Sequence, residues 1–411
     1  MRLLIKNAKE LVQVEYQPRK AVCGSDMSSV HIVKNAYLVV ENGKFVDFGE
    51  MANLPEQVFD SEIDATGRMV FPAFCDSHTH IVYAGSREIE YVDKIRGLSY
   101  EEIATRGGGI LNSAKRVQEA SEQELYDDAL ARLEYMASYG TGAVEIKSGY
   151  GMTTDAELKM LRVIRRLKEN SPLTIKANLL GAHGIPLEFR NCQDKFVDIV
   201  VNEMVPMAAN EGLADFVDVF CDKGFFTVDD TDRILSAAAK YGLVPKIHAN
   251  EMACSGGVQV AVKHNALSCD HLEYIGDEEI RVLKGSHTMP TVLPGAAFFL
   301  NMVCSPVRKM IDAGLPVAMA SDFNPGSSPS GNMQMILSFA CVNYKMLPEE
   351  AFNATTINTA YAMGVEDFLG SIAVGKQANF FITKPIPSYE YMPYAYGENK
   401  VEQMFINGKR F

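Results

Sequence analysis

The sequence has no tryptophan, no two cysteines spaced as C-x-x-C and no excess of positive charge. Its 39 Lys and Arg against 52 Asp and Glu leave a net charge of −13, which argues against a surface that binds nucleic acid or anionic lipid. No apolar run is long enough for a membrane-spanning helix, and early charges interrupt any signal-peptide core. The eight scattered cysteines are typical of reduced thiols, so we expect a cytoplasmic protein.

Short apolar segments alternate with segments of helical periodicity over much of the chain. Eight of them have the length and composition of buried strands: 70–75, 142–146, 174–180, 216–221, 244–248, 266–271, 288–293 and 317–321. Strands that are buried on both faces and joined by helices indicate a parallel sheet. Eight such units predict an α/β fold of the (β/α)8 barrel type. A doubly wound sheet is the alternative, but no glycine-rich turn follows the first strand.

The two ends of the chain have a different character. Near the N-terminus, β-branched and aromatic segments flank Asn42-Gly43, a strong signal for a tight hairpin. Two more strand-like segments occur near the C-terminus. We therefore predict that residues 1–68 and 369–411 form one small β-sandwich domain beside a barrel domain of residues 69–368.

The first signal for chemistry is His78-Thr79-His80, at the end of the first predicted barrel strand. Side chains two residues apart on a strand point the same way, so the two imidazoles converge on a point that suits a cation such as zinc. Alone, the motif is a weak signal, and a chance pair at the end of a strand is the favoured interpretation. Four further histidines lie close to predicted strand ends, and one face of a barrel gathers those ends: His183, His248, His271 and His287. As a group they favour a site over separate buried histidines with backbone partners.

Two carboxylates lie close to these histidines in the sequence. Asp322 follows the eighth apolar segment and precedes a Pro-Gly loop, where it can either cap a turn or serve as an anionic metal ligand and proton acceptor. Glu251 follows His248 by three residues. The pattern therefore adds a third imidazole and a second carboxylate to the candidate site.

Local signals also mark helix starts and a loop. Ser121 with Glu124, and Thr154 with Glu157, fit the capping-box pattern, which predicts a helix after each pair. The glycines at 107–109 lack the Lys-Ser/Thr of a phosphate-binding loop. We expect them to form a flexible loop over the site.

Several segments resemble a known family. FCDSHTH (74–80) resembles the first-strand motif of the amidohydrolase superfamily, and the segments around Ser321-Asp322 and at 370–379 match that superfamily too. Longer segments are similar to one family within it, the imidazolonepropionases: YAGSR (83–87), RGGGI (106–110), VEIKSGYG (144–151), ELKMLRV (157–163), DHLEY (270–274) and SDFNPG (321–326). The resemblance covers nearly the whole chain and is weakest in the first 65 residues.

This resemblance implies a metal-dependent hydrolysis. It implies one zinc or iron ion per subunit, bound by His78, His80, His248 and Asp322. It assigns the substrate contacts to Arg87, Tyr150, His183, Glu251, Asn324, Gly326 and Ser327. It assigns catalytic roles to Glu251, His271 and Asp322. The implied reaction opens the ring amide C–N bond of 4-imidazolone-5-propanoate to N-formimidoyl-L-glutamate in L-histidine degradation, in a homodimer with no nucleic-acid or membrane partner.

The resemblance also implies a mechanistic role for the metal ion and for each of these side chains. The metal ion lowers the pKa of bound water from about 15.7 to about 7. Either Asp322 or Glu251 carries the water proton to the leaving ring nitrogen, with a slight preference for Glu251 because a metal-bound aspartate is a weaker base. His271 stabilises the developing oxyanion. The guanidinium of Arg87 binds the carboxylate tail, unless Arg87 is only part of a surface salt bridge.

Other functions stay open at this point. A nucleobase deaminase of the same superfamily uses a similar set of His, Glu and Asp but has no need of Arg87. A non-catalytic metal- or ligand-binding barrel has no need of both Glu251 and Asp322. Zinc and iron both suit N and O ligands. Lys147 comes too early in the strand order to be the carbamylated lysine of binuclear relatives, so we interpret it as part of a structural ion pair and expect one metal ion.

Overall fold

The computed structural model describes residues 2–98, 102 and 108–411. Its strands form two separate eight-stranded sheets, a parallel barrel and a sheet built from both chain ends, which confirms the predicted fold. The barrel strands are, in order, Phe74–Thr79, Thr141–Lys147, Thr174–Ala182, Phe216–Cys221, Val244–Ala249, Ser268–His271, Met289–Val292 and Ala318–Met319. Neighbours in the barrel are neighbours in sequence, and a parallel bridge between Thr79 and Phe323 closes it.

Helices connect the barrel strands and pack against them. The α-helices are Glu88–Ile95, Ile110–Glu119, Glu122–Ser138, Thr154–Asn170, Gln193–Ile199, Val205–Asn210, Val228–Ala239, Gly257–Lys263, Asp277–Leu283, Pro294–Leu300, Val307–Asp312, Met333–Val342, Pro348–Thr355, Ile357–Ala362 and Tyr391–Tyr394. Shorter 3₁₀ or π-helical segments are Gly24–Ser28, Met51–Asn53, Leu187–Phe189 and Val200–Met204. In Thr154–Asn170 the buried Leu158, Leu161 and Ile164 recur at helical spacing, which explains why one face of this helix packs on the barrel. Within the described part of the chain, no helix has the length and apolar character needed to cross a membrane.

The sheet of the chain ends has its own core. Its strands are Arg2–Val12, Ile32–Glu41, Lys44–Glu50, Ser61–Asp64, Met69–Pro72, Phe380–Thr383, Val401–Ile406 and Lys409–Arg410. Asn42 and Gly43 form the predicted hairpin turn, with φ of 50° and 79°, the left-handed values that a type I′ turn requires. Phe45 and Phe380 lie on distant strands of this sheet, yet their ring centroids are 5.9 Å apart. The sheet therefore folds over itself around a shared apolar core.

The structure corrects the first predicted barrel strand. Residues 70–72, placed in that strand from the sequence, belong to Met69–Pro72, which pairs with Arg2–Val12 and Phe380–Thr383 in the other sheet. The barrel strand begins at Phe74 and continues to Thr79, so His78 lies inside it. Met69–Pro72 and the start of Phe74–Thr79 are both buried and apolar, so hydrophobic periodicity cannot reveal where the chain passes from one sheet to the other.

Candidate active site

Closure of the barrel brings three of the predicted metal ligands together. His78 Nε2 lies 3.3 Å from His80 Nε2 and 3.5 Å from Asp322 Oδ1. His80 Nε2 lies 3.6 Å from the same Asp322 oxygen. The amide of Asp322 donates to the carbonyl of His78 (3.0 Å), and this bond joins the first barrel strand to the segment after the eighth. Three buried donor atoms therefore face a common point, as a metal site requires.

His248, on the fifth barrel strand, lies beside this set and belongs with His78 and His271 to a second, overlapping group of possible metal donors. Its ring centroid lies 4.4 Å from that of His78 and 5.6 Å from that of His80. Its Nε2 is buried and has no hydrogen-bond partner in the described part of the molecule. A buried polar atom without a partner is costly, and a cation held with the other three donors would satisfy it. The residues present thus fit a metal ion.

Carboxylates behind the imidazoles orient two of these ligands. His78 Nδ1 lies 2.6 Å from Asp270 Oδ2, and His248 Nδ1 lies 3.0 Å from Asp218 Oδ1. An ionised carboxylate can only accept, so each imidazole carries its hydrogen on Nδ1 and presents the lone pair of Nε2 to the site. Burial, together with neighbouring imidazoles and Lys147, lowers the pKa values of His78 and His80 well below the ordinary range. Both are therefore neutral, the form that binds a metal.

A fully buried ion-pair network lies below this layer. Lys147 Nζ contacts Glu145 Oε1 at 2.6 Å and Asp218 Oδ2 at 2.7 Å, and Lys246 Nζ contacts the second oxygen of Glu145. Burial opposes ionisation of Asp218, but His248 and Lys147 hold its pKa well below the ordinary value. Buried charges are tolerated only when paired in this way. Lys147 is thus a member of an ion-pair network, and that network supports the carboxylate that orients His248.

Glu251 and His271 lie together beside the donor set. Glu251 Oε2 is 3.6 Å from His271 Nε2. Burial, with the charges of Asp322 and Asp222 nearby, raises the pKa of Glu251 to about 8. His271 has φ of 84°, an uncommon value for a non-glycine residue, and its ring lies 5.3 Å from that of His248. A proton acceptor and a hydrogen-bond donor therefore lie next to the candidate metal position.

Tyr150 and His183 form a neighbouring wall. The His183 ring stacks on His80 with centroids 5.1 Å apart, and Tyr150 lies 5.4 Å from His183. His183 Nδ1 lies 3.1 Å from the carbonyl of Gly149, so that nitrogen is the donor and Nε2 is free to accept. Burial raises the pKa of Tyr150, and the nearby Arg87 opposes that rise. Tyr150 is therefore a neutral phenol between the candidate metal position and Arg87.

Glu157 shapes the loop that presents Tyr150. The sequence placed Glu157 in a capping box with Thr154, and this prediction is wrong. The helix cap is Thr153, whose hydroxyl accepts from Ala156 N, whereas Glu157 accepts from the amides of Gly149 (2.9 Å), Gly151 (2.7 Å) and Met152 (2.9 Å). The other predicted capping box, of Ser121 and Glu124, is confirmed.

Arg87 and the loop after the eighth strand form the far side of the site. Arg87 Nε and Nη2 lie 2.8 Å and 2.6 Å from Glu90 Oε2, so the arginine is already ion-paired. A Cβ at Gly326 would overlap the end of the Arg87 guanidinium, so a larger residue there would require the arginine side chain to move. Asn324 accepts from the amides of Gly326 and Ser327 (both 2.8 Å) and donates to the Ser327 hydroxyl (2.7 Å). Its side chain thus holds the loop in shape.

Some expectations and structural findings do not coincide. His287 precedes the seventh strand and is exposed, so it lies outside the histidine cluster. Arg106 and Gly107 lie outside the described residues, and with them part of the loop predicted over the site. Sequence reasoning did not single out several buried charged residues that support the site: Glu90, Glu145, Asp218, Lys246 and Asp270. Most of them are charged residues within apolar barrel segments, a signal that could have identified them because such residues must be paired.

Comparisons with known proteins agree with this geometry. A family model described as "Amidohydrolase family" matches residues 69–411. The chain is 56% identical over 409 residues to an imidazolonepropionase of Christiangramia forsetii, covering 100% of both chains. It is 54% identical over 406 residues to an imidazolonepropionase of Flavobacterium johnsoniae, covering 99% of both. A solved triazine hydrolase variant superposes with a TM-score of 0.75 over 100% of this chain and 94% of that one, at 15% identity, a likeness of fold alone.

Proposed function

The chain belongs to the imidazolonepropionase family of the amidohydrolases, and from that premise we propose that it hydrolyses the ring amide C–N bond of 4-imidazolone-5-propanoate to N-formimidoyl-L-glutamate, a step of L-histidine degradation. The observation that carries the proposal is the pair of overlapping donor groups, His78-His80-Asp322 and His78-His248-His271, with Glu251 beside them at one end of the barrel. This arrangement suits hydrolysis of an unreactive amide, because it combines a cation site, a proton carrier and a hydrogen-bond donor.

In this proposal His78, His80, His248 and Asp322 hold one zinc or iron ion. Their N and O donors suit either metal. When bound, the ion supplies Lewis acidity and lowers the pKa of a coordinated water to about 7. Support for this set comes from the contacts among the donor atoms and from the partnerless Nε2 of His248.

Glu251 takes the proton of the attacking water and returns it to the leaving ring nitrogen. Because the pKa of Glu251 is raised to about 8, both its protonated and its ionised forms are populated near neutral pH. The carboxyl can therefore accept a proton and donate it again. Asp322 is the weaker base, since its carboxylate is committed to the cation. His271 donates a hydrogen bond to the carbonyl oxygen as negative charge develops there.

The residues that form the walls of the site contact the substrate. The free Nε2 of His183 accepts from a ring N–H, and the hydroxyl of Tyr150 lies on the same side. Arg87 and the loop of Asn324, Gly326 and Ser327 receive the propanoate tail, which a planar guanidinium can bind in two-point fashion. A nucleobase deaminase is the less favoured function because a nucleobase has no tail to place against Arg87.

We further propose a cytoplasmic homodimer that acts on this small molecule without a nucleic-acid or membrane partner. The net charge of −13 supports the lack of a nucleic-acid partner. Light scattering tests the dimer: it should give about twice the chain mass of 45.3 kDa, and a mass equal to one chain would contradict it.

The direct test of the activity is an assay of the purified, metal-loaded protein. Imidazolone propanoate should be converted to N-formimidoyl-glutamate, whereas guanine and cytosine should not be deaminated. Metal content measured in the same sample links turnover to the loaded fraction. Deamination of a nucleobase without turnover of imidazolone propanoate would overturn the proposal.

A further inference from the structure

The charge of Arg87 is largely compensated before any substrate binds. Two of its nitrogens contact Glu90 Oε2, and both side chains of this pair are mostly buried, with 13% and 10% exposed. A neutral pair can still orient a carboxylate through its remaining Nη1, but it supplies little net attraction. An anionic tail in a protein of net charge −13 therefore calls for a second, uncompensated cation nearby.

Lys94 meets this requirement. It lies in the last turn of the helix Glu88–Ile95, whose N-cap residue is Arg87. Its Nζ lies 3.4 Å from the carbonyl oxygen of Gly326, the glycine that packs against the Arg87 guanidinium. Lys94 and Arg87 therefore converge on the same residue of the loop after the eighth strand.

Among the residues that the structure describes, none forms an ion pair with the Lys94 ammonium. Its side chain is partly buried, and no carboxylate oxygen of the described residues lies within the 4.0 Å ion-pair distance of its Nζ. Burial and the proximity of Arg87 lower the pKa of Lys94, and the attraction of Glu90, which is already ion-paired with Arg87, offsets only part of this shift. Holding such a group beside another cation is unfavourable unless an anion binds there.

We propose that Lys94 is a second binding residue for the carboxylate tail of the substrate, which lies beside Gly326 between the Lys94 ammonium and Arg87 Nη1. This inference rests on the proposed function and extends it to a residue that the family resemblance did not single out. Arg87 sets the orientation of the tail through its planar group, while Lys94 supplies the net positive charge. Because the tail does not react, Lys94 acts on binding more than on the chemical step.

The test compares three variants of the metal-loaded enzyme. Lys94→Met should raise KM for imidazolone propanoate about 10- to 100-fold, the range expected for loss of a hydrogen bond to a charged group, with kcat little changed. Lys94→Arg should retain most of the affinity because it keeps the charge. Lys115→Met is the matched control: this exposed lysine on Ile110–Glu119 lies 3.9 Å from Glu119, and its loss should leave KM unchanged.

A substrate analogue separates charge recognition from a structural role. With the propanamide analogue, whose tail is uncharged, wild type and Lys94→Met should have the same kcat/KM. An equal loss on both substrates, or an unchanged KM for the propanoate in Lys94→Met, would overturn the Lys94 proposal while leaving the proposed function intact. Absence of turnover by the wild type would refute the proposed function, and the role of Lys94 with it.

Discussion

Replacing Asp218 by asparagine tests how the metal site is held in shape. Asp218 Oδ1 accepts from His248 Nδ1 (3.0 Å) and from the amide of His248 (3.2 Å), while Oδ2 accepts from Lys147 Nζ (2.7 Å). An asparagine has one carboxamide oxygen. If that oxygen stays with Lys147, the amide NH2 faces His248 Nδ1, and the imidazole must move its hydrogen to Nε2, the nitrogen proposed to bind the metal.

The expected loss is 10- to 100-fold in metal affinity, the typical cost of removing such an outer partner, which corresponds to about 1.4 to 2.8 kcal/mol. Dialysis against graded concentrations of chelator, followed by metal analysis, measures this loss. Circular dichroism establishes that the variant is folded.

Asp215→Asn is the matched control. Asp215 precedes the same strand and forms partly exposed ion pairs with Lys168 and Lys176, away from the site. It should retain its metal as the wild type does. If Asp218→Asn loses its metal at the same chelator concentration as the wild type, the idea that this carboxylate orients His248 is wrong.

Two further predictions concern the substrate and the proton carrier. Arg87→Ala should raise KM without loss of metal, and steady-state kinetics with metal analysis checks this; an unchanged KM would count against the propanoate assignment. Glu251→Gln should lower kcat about 10²- to 10⁴-fold with the metal retained, and near-normal kcat would remove Glu251 from the mechanism. Because the folded protein raises the pKa of Glu251 to about 8, the metal-free wild type should lose stability relative to Glu251→Gln as pH rises from about 4.5 to 8, by about 1.4 kcal/mol per pH unit. Urea unfolding of both proteins across this range measures the difference, and a constant difference would contradict it.

Much of the fold was predictable because barrel strands leave a simple pattern. Apolar segments such as Phe216–Cys221 are bounded by helical periodicity, and the predicted strand there matches the structure. His78 and His80 could be paired from their spacing, since alternation along a strand places both side chains on one face. The family assignment from longer segments is confirmed by the full-length relatives.

Other features depend on contacts between distant residues and leave no local signal. Asp218 pairs with His248 because strand register places them on adjacent strands, whereas Asp270 reaches His78 from the sixth strand to the first, across the barrel interior. Glu157 fits a capping pattern in the sequence, but in the structure its carboxylate accepts hydrogen bonds from three loop amides instead.

The most direct test of the central claim measures metal stoichiometry and turnover together in wild type and His248→Ala. The account predicts about one metal ion per wild-type chain and turnover in proportion to it, with both strongly reduced in the variant at the same chelator concentration. Full stoichiometry in folded His248→Ala, or turnover that does not follow the metal content, would contradict the claim that these donors form the catalytic centre.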